Sequence, residues 1–524
     1  MNSDRLGEDW SAGYVTDIAY MPGFYHHQTP GFMALACLLN GFEPPPLDGL
    51  TYCDLGCGPG FGVTLMAAAD PSGTYVGVDF NPAHIAQGRR LIARAGLTNV
   101  RLIEASFADL TGPGAAAFEV PRFDVIALHG VYSWVDEDLK RAIVRFIDER
   151  LTPGGMVYLG YNCYPGWTNA MPVQRLLREV AARQAGDSAH RFQTAYTVAR
   201  ALHGTRAQGL PDKTVFEALD KEMEGGNESY LVHEYLNAHW RPLFFADVAA
   251  DMAAAKLAYA GAADLLANFP QLQLTPEQRV IVDGLPDRTL RQQAADYCTG
   301  RGFRRDVFLR GALRLGEAEQ LDRLRRTRFV NPRVEGGQSL KVTTPVGTAE
   351  LELPLYGPVV AWLRDEVMSV GALLDRVAAE GVADRSPIEV AGMLAGSGLA
   401  VPVYDDPSPM VVERVRRFNR VVADLPLGKG ETKASTALAS ALGRTGVFAT
   451  LFDVLAYAAL VDGADETPEA MAEAAWRRLR ARGEALRHEG EPLHGEAANR
   501  AALIENFTPM LQKTVPMWRR LGVL

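Results

Sequence analysis

The stretch that most limits what this chain can become is Tyr52-Cys53-Asp54-Leu55-Gly56-Cys57-Gly58-Pro59-Gly60-Phe61-Gly62. It stands between a short apolar run and an Ala-rich helical pattern, which predicts a turn from a first strand into a first helix. Glycines at alternate positions let the backbone bend sharply and approach a ligand where any Cβ would collide. Such a turn presents free N–H groups at a helix start. Its spacing selects against a dinucleotide. That fingerprint needs Gly-x-Gly-x-x-Gly, and its third position here is Phe61, or Val63 if counted from Gly58. What stands instead is an acidic residue followed by Gly-x-Gly-x-Gly.

From Gly49 onward the pattern alternates strand and helix, which predicts an α/β fold with a doubly wound parallel sheet. Tyr75 to Asp79 reads as a second strand ending in an acid 19 positions past Gly60. A carboxylate at that place accepts ribose hydroxyls. Phe80-Asn81-Pro82 begins the next helix. Asn99 to Glu104 reads as a third strand, and Ser106-Phe107 beyond it is where an adenine would be held. Phe123 to Leu128 is a fourth, delivering His129-Gly130-Val131-Tyr132-Ser133-Trp134. Leu151 to Gly155 reads as a turn and Met156 to Gly160 as a fifth strand, emptying into Tyr161-Asn162-Cys163-Tyr164-Pro165-Gly166-Trp167. Ligands of open α/β sheets bind at the carboxyl ends of strands, and every one of these tips lies there.

Ahead of the sheet, residues 1–48 form an aromatic-rich segment, with Tyr20 and Tyr25 as lid candidates. Residues 170–228 read as a helical insertion, after which the strand pattern resumes at Lys256 to Ala260 and Arg304 to Leu309 to complete the sheet. The core sheet thus occupies 49–169 and its completion 229–316. Residues 317–409 carry a hairpin signature around Pro345-Val346-Gly347 followed by helices, which predicts a winged-helix-like module. The basic run Arg323 to Arg328 reads as a solvated helix face. Residues 410–524 read as largely helical.

Composition biases the choice of partner. The 524-residue chain has a net charge of −10, so its field repels nucleic acid. No apolar run approaches the roughly 18 to 20 residues that span a bilayer, and the N-terminus has no apolar signal core. The expected location is the cytoplasm. Cys37, Cys53, Cys57, Cys163 and Cys298 are scattered, with no completed zinc pattern, and read as small buried thiols.

These residues resemble the rickettsial-type outer-membrane-protein lysine methyltransferases, within the class I methyltransferases that use S-adenosylmethionine. The resemblance rests on Asp54 through Gly60, Gly77 to Asp79, Leu128-His-Gly-Val-Tyr-Ser-Trp-Val135, Tyr161-Asn162 and Pro165-Gly166-Trp167. Tyr230 to Glu234, Pro242 to Phe245 and Phe303-Arg304 resemble the methyltransferase regulatory domain that follows in that family. It implies a Rossmann-like class I core, S-adenosylmethionine as donor, protein lysine as acceptor and a homodimer. It places the donor on Asp54, Gly56, Gly58, Gly60, Asp79, Ser106 and Phe107, to which the tips add Phe80 and His129. His129 is also a candidate base.

In-line methyl transfer needs a neutral amine held roughly 3 to 3.5 Å from the methyl carbon. Lysine starts near pKa 10.4, and a dry aromatic pocket beside a positive sulfur favours its uncharged form. The catalytic candidates are Tyr161, Asn162, Trp134 and Tyr25; the substrate-lining candidates are Tyr20, Tyr132, Tyr164 and Trp167. For any one of these aromatics, loop packing is the competing role. A small-molecule methyltransferase and a non-catalytic protein that senses the donor are the alternative functions.

Overall fold

The computed structural model describes residues 13–15, 17, 23–112, 114–210, 213–225, 228–332, 340–382, 385–404, 406–425, 436–488 and 491–524. Tyr20 lies outside the described residues.

Five parallel strands begin the sheet: β1 (Thr51–Leu55), β2 (Thr74–Asp79), β3 (Val100–Glu104), β4 (Phe123–His129) and β5 (Leu151–Asn162). The helices before and between them are α1 (Pro30–Leu39), α2 (Phe61–Ala69), α3 (Pro82–Ala95) and α4 (Glu137–Arg150). After β5 the chain runs through α5 (Met171–Ala181), α6 (Ser188–Gly204), α7 (Lys213–Glu224), α8 (Glu228–Leu236) and α9 (Phe245–Ala254). It returns as β6 (Leu257–Ala262), then passes α10 (Pro270–Gln273), α11 (Pro276–Asp283) and α12 (Arg288–Thr299) before β7 (Phe303–Arg310). The order is β3-β2-β1-β4-β5-β7-β6, with β7 antiparallel to both neighbours. The order reverses between β1 and β4, which opens a crevice at their carboxyl ends.

Two features of β5 depart from expectation. Leu151 to Gly155, read as a turn, belongs to the strand: Leu151 pairs with Phe123, pairing resumes between Val125 and Met156, and the residues between bulge outward. Fully buried Leu151 anchors that detour. At its other end the strand continues through Tyr161 and Asn162, because β7 covers it there, pairing Tyr161 with Arg304 and Asn162 with Phe303. Successive side chains of a strand point to opposite faces, so these two cannot both face the crevice.

Each face of the sheet has its own core. Leu55, Val78, Phe123, Leu128, Phe146, Tyr161 and Phe245 fill one. Tyr52, Tyr75, Leu102 and Tyr158 belong to the other, which continues without a break into residues beyond 317, including Phe329, Leu363, Phe418, Leu455 and Trp518. A helix over Pro409–Ala423 lies on this face. Its Arg414 donates to the Ala67 carbonyl at 3.1 Å and its Arg417 to that of Ala95 at 2.9 Å, closing the ends of α2 and α3. Helices α5, α6, α7 and α8 gather around a third cluster that includes Val173, Phe192, Phe216 and Leu231.

Further along, the hairpin Lys341–Thr344 with Gly347–Glu350 is accompanied by a three-stranded sheet of Arg328–Val330, Met368–Ser369 and Val401–Val403. The basic run is engaged internally: Arg325 pairs with Asp375, Arg326 with Asp322 and Arg328 with Asp406. Within the stretch read as largely helical, Thr436–Ser440 and Thr445–Ala449 form a hairpin. Thr436–Ser440 is mostly small residues with no aromatic to mark it as a strand. Of the thiols, Cys298 is exposed, against expectation. No described helix is long and apolar enough to cross a membrane.

Candidate active site

The glycine turn is built by steric necessity. Gly56 has φ +75°, and a Cβ there would come 2.4 Å from Val131 Cγ2. Gly60 has φ +71°, and its Cβ would meet Leu102 at 2.9 Å. The Gly56 and Cys57 N–H groups donate to the Val78 carbonyl at 2.8 and 3.0 Å, which ties the turn to β2. The Gly58 N–H donates to Asp79 Oδ2 at 2.9 Å. Around a Cβ at Gly58 no atom of the described residues other than its chain neighbours lies within 4 Å.

Behind this turn lies a cavity of about 470 Å³ at the carboxyl ends of β1, β2, β3 and β4, within the range of about 300–1,000 Å³ usual for small-molecule sites. Asp54, Gly56, Gly58, Asp79, Phe80, Ser106, Phe107 and His129 line it, as do Tyr25 and Trp134. Gly60 is not in the lining; as the left-handed cap of α2 it shapes the turn.

The two carboxylates differ. Asp79 Oδ1 accepts from the Asn81 N–H at 2.9 Å and from His84 Nδ1 at 3.2 Å, so the acid is oriented from both sides. Asp54, only 6% exposed, makes no hydrogen bond among the described residues. Burial first, and then the charge of Asp79, push its carboxyl up to about 7. A buried acid facing a cavity without a partner suits a cationic ligand. S-adenosylmethionine carries positive charge at sulfur and at its amino group, so the residues present fit it.

Several expectations are corrected by side-chain direction. Tyr161 is fully buried, does not line the cavity and donates to Asp306 Oδ2 at 2.7 Å. It has no place beside an acceptor. Tyr132 is likewise buried, donating to Asp251 Oδ2 at 2.8 Å and so joining β4 to α9. Tyr164 stacks on Phe244 at 4.9 Å, and the Trp167 indole donates to the Gly302 carbonyl at 3.0 Å. Neither lines the cavity; both pack loops. Asn162 does not line it either, and donates from Nδ2 to Glu234 Oε2 at 2.9 Å. His129 is no base: burial first, and then Arg305, push its imidazole down to about 3, and its Nδ1 shares a hydrogen bond with Tyr158 Oη at 2.8 Å. It is a neutral platform on which Tyr25 stacks at 3.9 Å.

Other lining residues escaped the sequence reading. Tyr14 reaches the cavity from the lead segment, 5.6 Å edge-on to Phe80 and 6.1 Å from Trp134 between ring centres. His84 was detectable, being one turn into the helix that follows Asp79. Tyr14 belongs to the aromatic lead segment read as a lid or as packing, though Tyr20 and Tyr25 are the candidates singled out there instead; His239 carried no local signal.

Comparison with known proteins agrees with this geometry. Residues 46–197 match the family model of a methyltransferase domain, and residues 227–310 match that of a predicted methyltransferase regulatory domain. An uncharacterized protein of Synechocystis sp. (strain ATCC 27184 / PCC 6803 / Kazusa) is 29% identical over 523 residues, covering 98% of this chain and 99% of that protein. An uncharacterized protein of Rickettsia prowazekii (strain Madrid E) is 28% identical over 224 residues, 42% of this chain and 86% of its own length. Among solved structures, PKMT2 of Rickettsia typhi in complex with AdoHcy superposes with a TM-score of 0.69 at 18% identity, covering 96% of this chain and 99% of that one. The fold is therefore a Rossmann-like methyltransferase core with appended helical regions.

Proposed function

We propose that this chain, an S-adenosylmethionine-dependent methyltransferase by its domain and its cavity, delivers the methyl group to the side-chain amine of a protein lysine. The observation that carries the reading is the pair of buried carboxylates, Asp54 unpartnered and Asp79 pre-oriented, opening into one cavity with aromatic walls. The acceptor class is supported by the resemblance of His129 to Trp134 and its neighbours to lysine methyltransferases. PKMT2 of Rickettsia typhi, solved with AdoHcy, lends the donor further support.

The donor supplies an electrophilic methyl on a sulfonium. The protein's own residues do the rest. Asp79 takes a ribose hydroxyl, Phe107 and Phe80 offer faces to the adenine, and Asp54 meets the cationic end. Tyr25, Tyr14 and Trp134 exclude water from the space between amine and methyl, so the amine must give up its proton within the site before it attacks. The helical residues 170–228 and the region beyond 317 are assigned to holding the protein acceptor or a second copy of the chain.

The test is incubation with radiolabelled S-adenosylmethionine and a lysate of the source cell. Label in a protein band, released as methyllysine on hydrolysis, supports the reading. Label confined to small molecules overturns the acceptor class.

Asp54 makes donor binding depend on pH. Its carboxyl is neutral below about 7 in the free protein, whereas a cationic ligand favours its ionised form. Binding therefore releases a proton, and affinity climbs by up to about tenfold per unit between roughly pH 5 and 7 before levelling. The folded-state value lies above the unfolded one of about 3.9, so this group's contribution to stability is present below that value and is lost as pH rises through about 7. Calorimetry in two buffers of different ionisation heat measures the released proton. A flat affinity over that range would refute the assignment, and Asp54→Asn should flatten it.

A further inference from the structure

One buried charge beside the cavity has no partner of opposite sign. Glu234, in α8, is 6% exposed. Its carboxylate accepts from Asn162 at the end of β5, and no cation among the described residues is paired with it. Among the described residues the groups that face it are phenols, an amide and an indole: Tyr14 from the lead segment, Tyr230 and Tyr235 of its own helix, Asn162 of β5, and Trp240 from the segment after α8. Buried charges are ordinarily paired, and an unpaired one directly behind Tyr14 of the cavity wall is a functional candidate.

Its surroundings say which cation is missing. Tyr14, Trp134 and the neighbouring His233 cluster with ring centres 6.1, 5.6 and 6.5 Å apart and planes within 34° of one another, and Tyr14 and Trp134 also line the donor cavity. Burial, then Asp79, then Glu234 push the Tyr14 phenol up, which sets Tyr14 between the donor's acid and this one. Tyr230, one turn before Glu234, is 46% exposed. Its phenol is raised by burial, then by Glu234, and more weakly by Tyr25 of the cavity wall. Aromatic faces around a carboxylate recognise an alkylammonium.

We propose that Glu234 is the counter-ion and proton acceptor for the substrate's amine, in a subsite walled by Tyr14, Trp134 and Tyr230 between the methyltransferase core and the regulatory domain. An Nε–H bond of the bound ammonium breaks, its electron pair stays on nitrogen, and the proton moves to a Glu234 oxygen. The freed pair then forms the bond to the methyl carbon, whose former bonding pair leaves with sulfur as a neutral thioether. Burial, opposed by Asn162, pushes the Glu234 carboxyl up to about 7, so it can exchange that proton with water near neutral pH. The inference rests on the amine-methylation reading but can fail separately from it.

The test uses the full chain with S-adenosylhomocysteine bound and n-butylammonium as the lysine-side-chain probe, with 1-butanol as its neutral counterpart. Glu234→Gln is expected to weaken butylammonium at least about tenfold while leaving 1-butanol and S-adenosylhomocysteine within about twofold. Glu234→Asp, which keeps the charge, should retain most of that binding and reports on the subsite if the glutamine variant folds poorly. With a labelled lysine substrate, the kcat/KM defect of Glu234→Gln should exceed about 50-fold at roughly pH 7 and narrow sharply near pH 9.5 to 10, where lysine loses its proton unaided. Equal butylammonium binding by wild type and Glu234→Gln, an aspartate variant as weak as the glutamine one, or a rate defect independent of pH overturns the proposal. Protein lysine methylation that survives Glu234→Gln overturns the inference alone. A lysate without labelled protein, beside charge-dependent butylammonium binding, overturns only the acceptor class.

Discussion

Asp79→Ala should weaken S-adenosylmethionine binding by at least about 100-fold, roughly 2.7 kcal/mol. The size follows from what the carboxylate holds together. A carboxylate has about four lone-pair directions. Three are taken: Oδ1 accepts from the Asn81 N–H and His84, and Oδ2 accepts from the Gly58 N–H at the apex of the glycine turn. That leaves one direction on Oδ2 for a hydroxyl of the donor's ribose in the proposed complex. Removing the side chain therefore deletes a contact to the donor and also frees Gly58, the start of α3 and His84. Hydrogen bonds to charged groups contribute about 1.5–3 kcal/mol each, which exceeds what a surface contact would. Calorimetric titration with S-adenosylmethionine decides it: a Kd within about threefold of wild type, in a protein with an unchanged melting temperature, would show that the donor lies elsewhere.

The second large effect is on stability. Arg304 sits between two acids in a dry layer: Nε and Nη2 fork onto Asp306 at 2.8 and 3.0 Å, and Nη1 meets both Asp296 oxygens at 2.6 and 2.8 Å. Its guanidinium also stacks 4.1 Å over Phe245. The cluster joins β7, α12 and α9, and Tyr161 attaches β5 to it through Asp306. Arg304→Met would leave Asp306 buried without a countercharge and Asp296 with Arg301 alone, 3.1 Å away, a change that costs about 3–5 kcal/mol in comparable pairs. Lysine would not restore it, since a point charge cannot supply the fork. The measure is the urea midpoint; a loss under about 1 kcal/mol would mean that the acids simply take up protons at little cost. Tyr161→Phe is the informative contrast. It removes one hydrogen bond of about 1–2 kcal/mol and, because the ring does not line the cavity, should leave turnover within about twofold.

That contrast marks where the sequence stopped being readable. Tyr161 and Asn162 stand at one strand tip, and their letters alone suggested an aromatic wall and an amide for the acceptor. Which of them faces the crevice depends on strand parity and on how far β5 runs before it ends. Both were decided by β7, whose residues lie more than 140 positions later and pair with β5 to its last residue. Tyr132, Tyr164 and Trp167 misled for the same reason: an aromatic after a strand reads alike whether it fills a loop or lines a pocket. Trp134 and Tyr25, equally ambiguous in sequence, do reach the cavity.

The glycine turn, Asp79 and the strand–helix alternation were determined by the sequence itself, because each rests on neighbouring residues: backbone sterics at Gly56 and Gly60, and the short reach from Asp79 to Gly58. Only the tertiary structure decided that Asp54 is left without a partner, that Tyr14 closes the cavity, and that Glu234 of α8 lies against Asn162 of β5. Those facts arise from contacts between segments tens to hundreds of residues apart, where burial sets the charge state and packing sets the direction of every side chain.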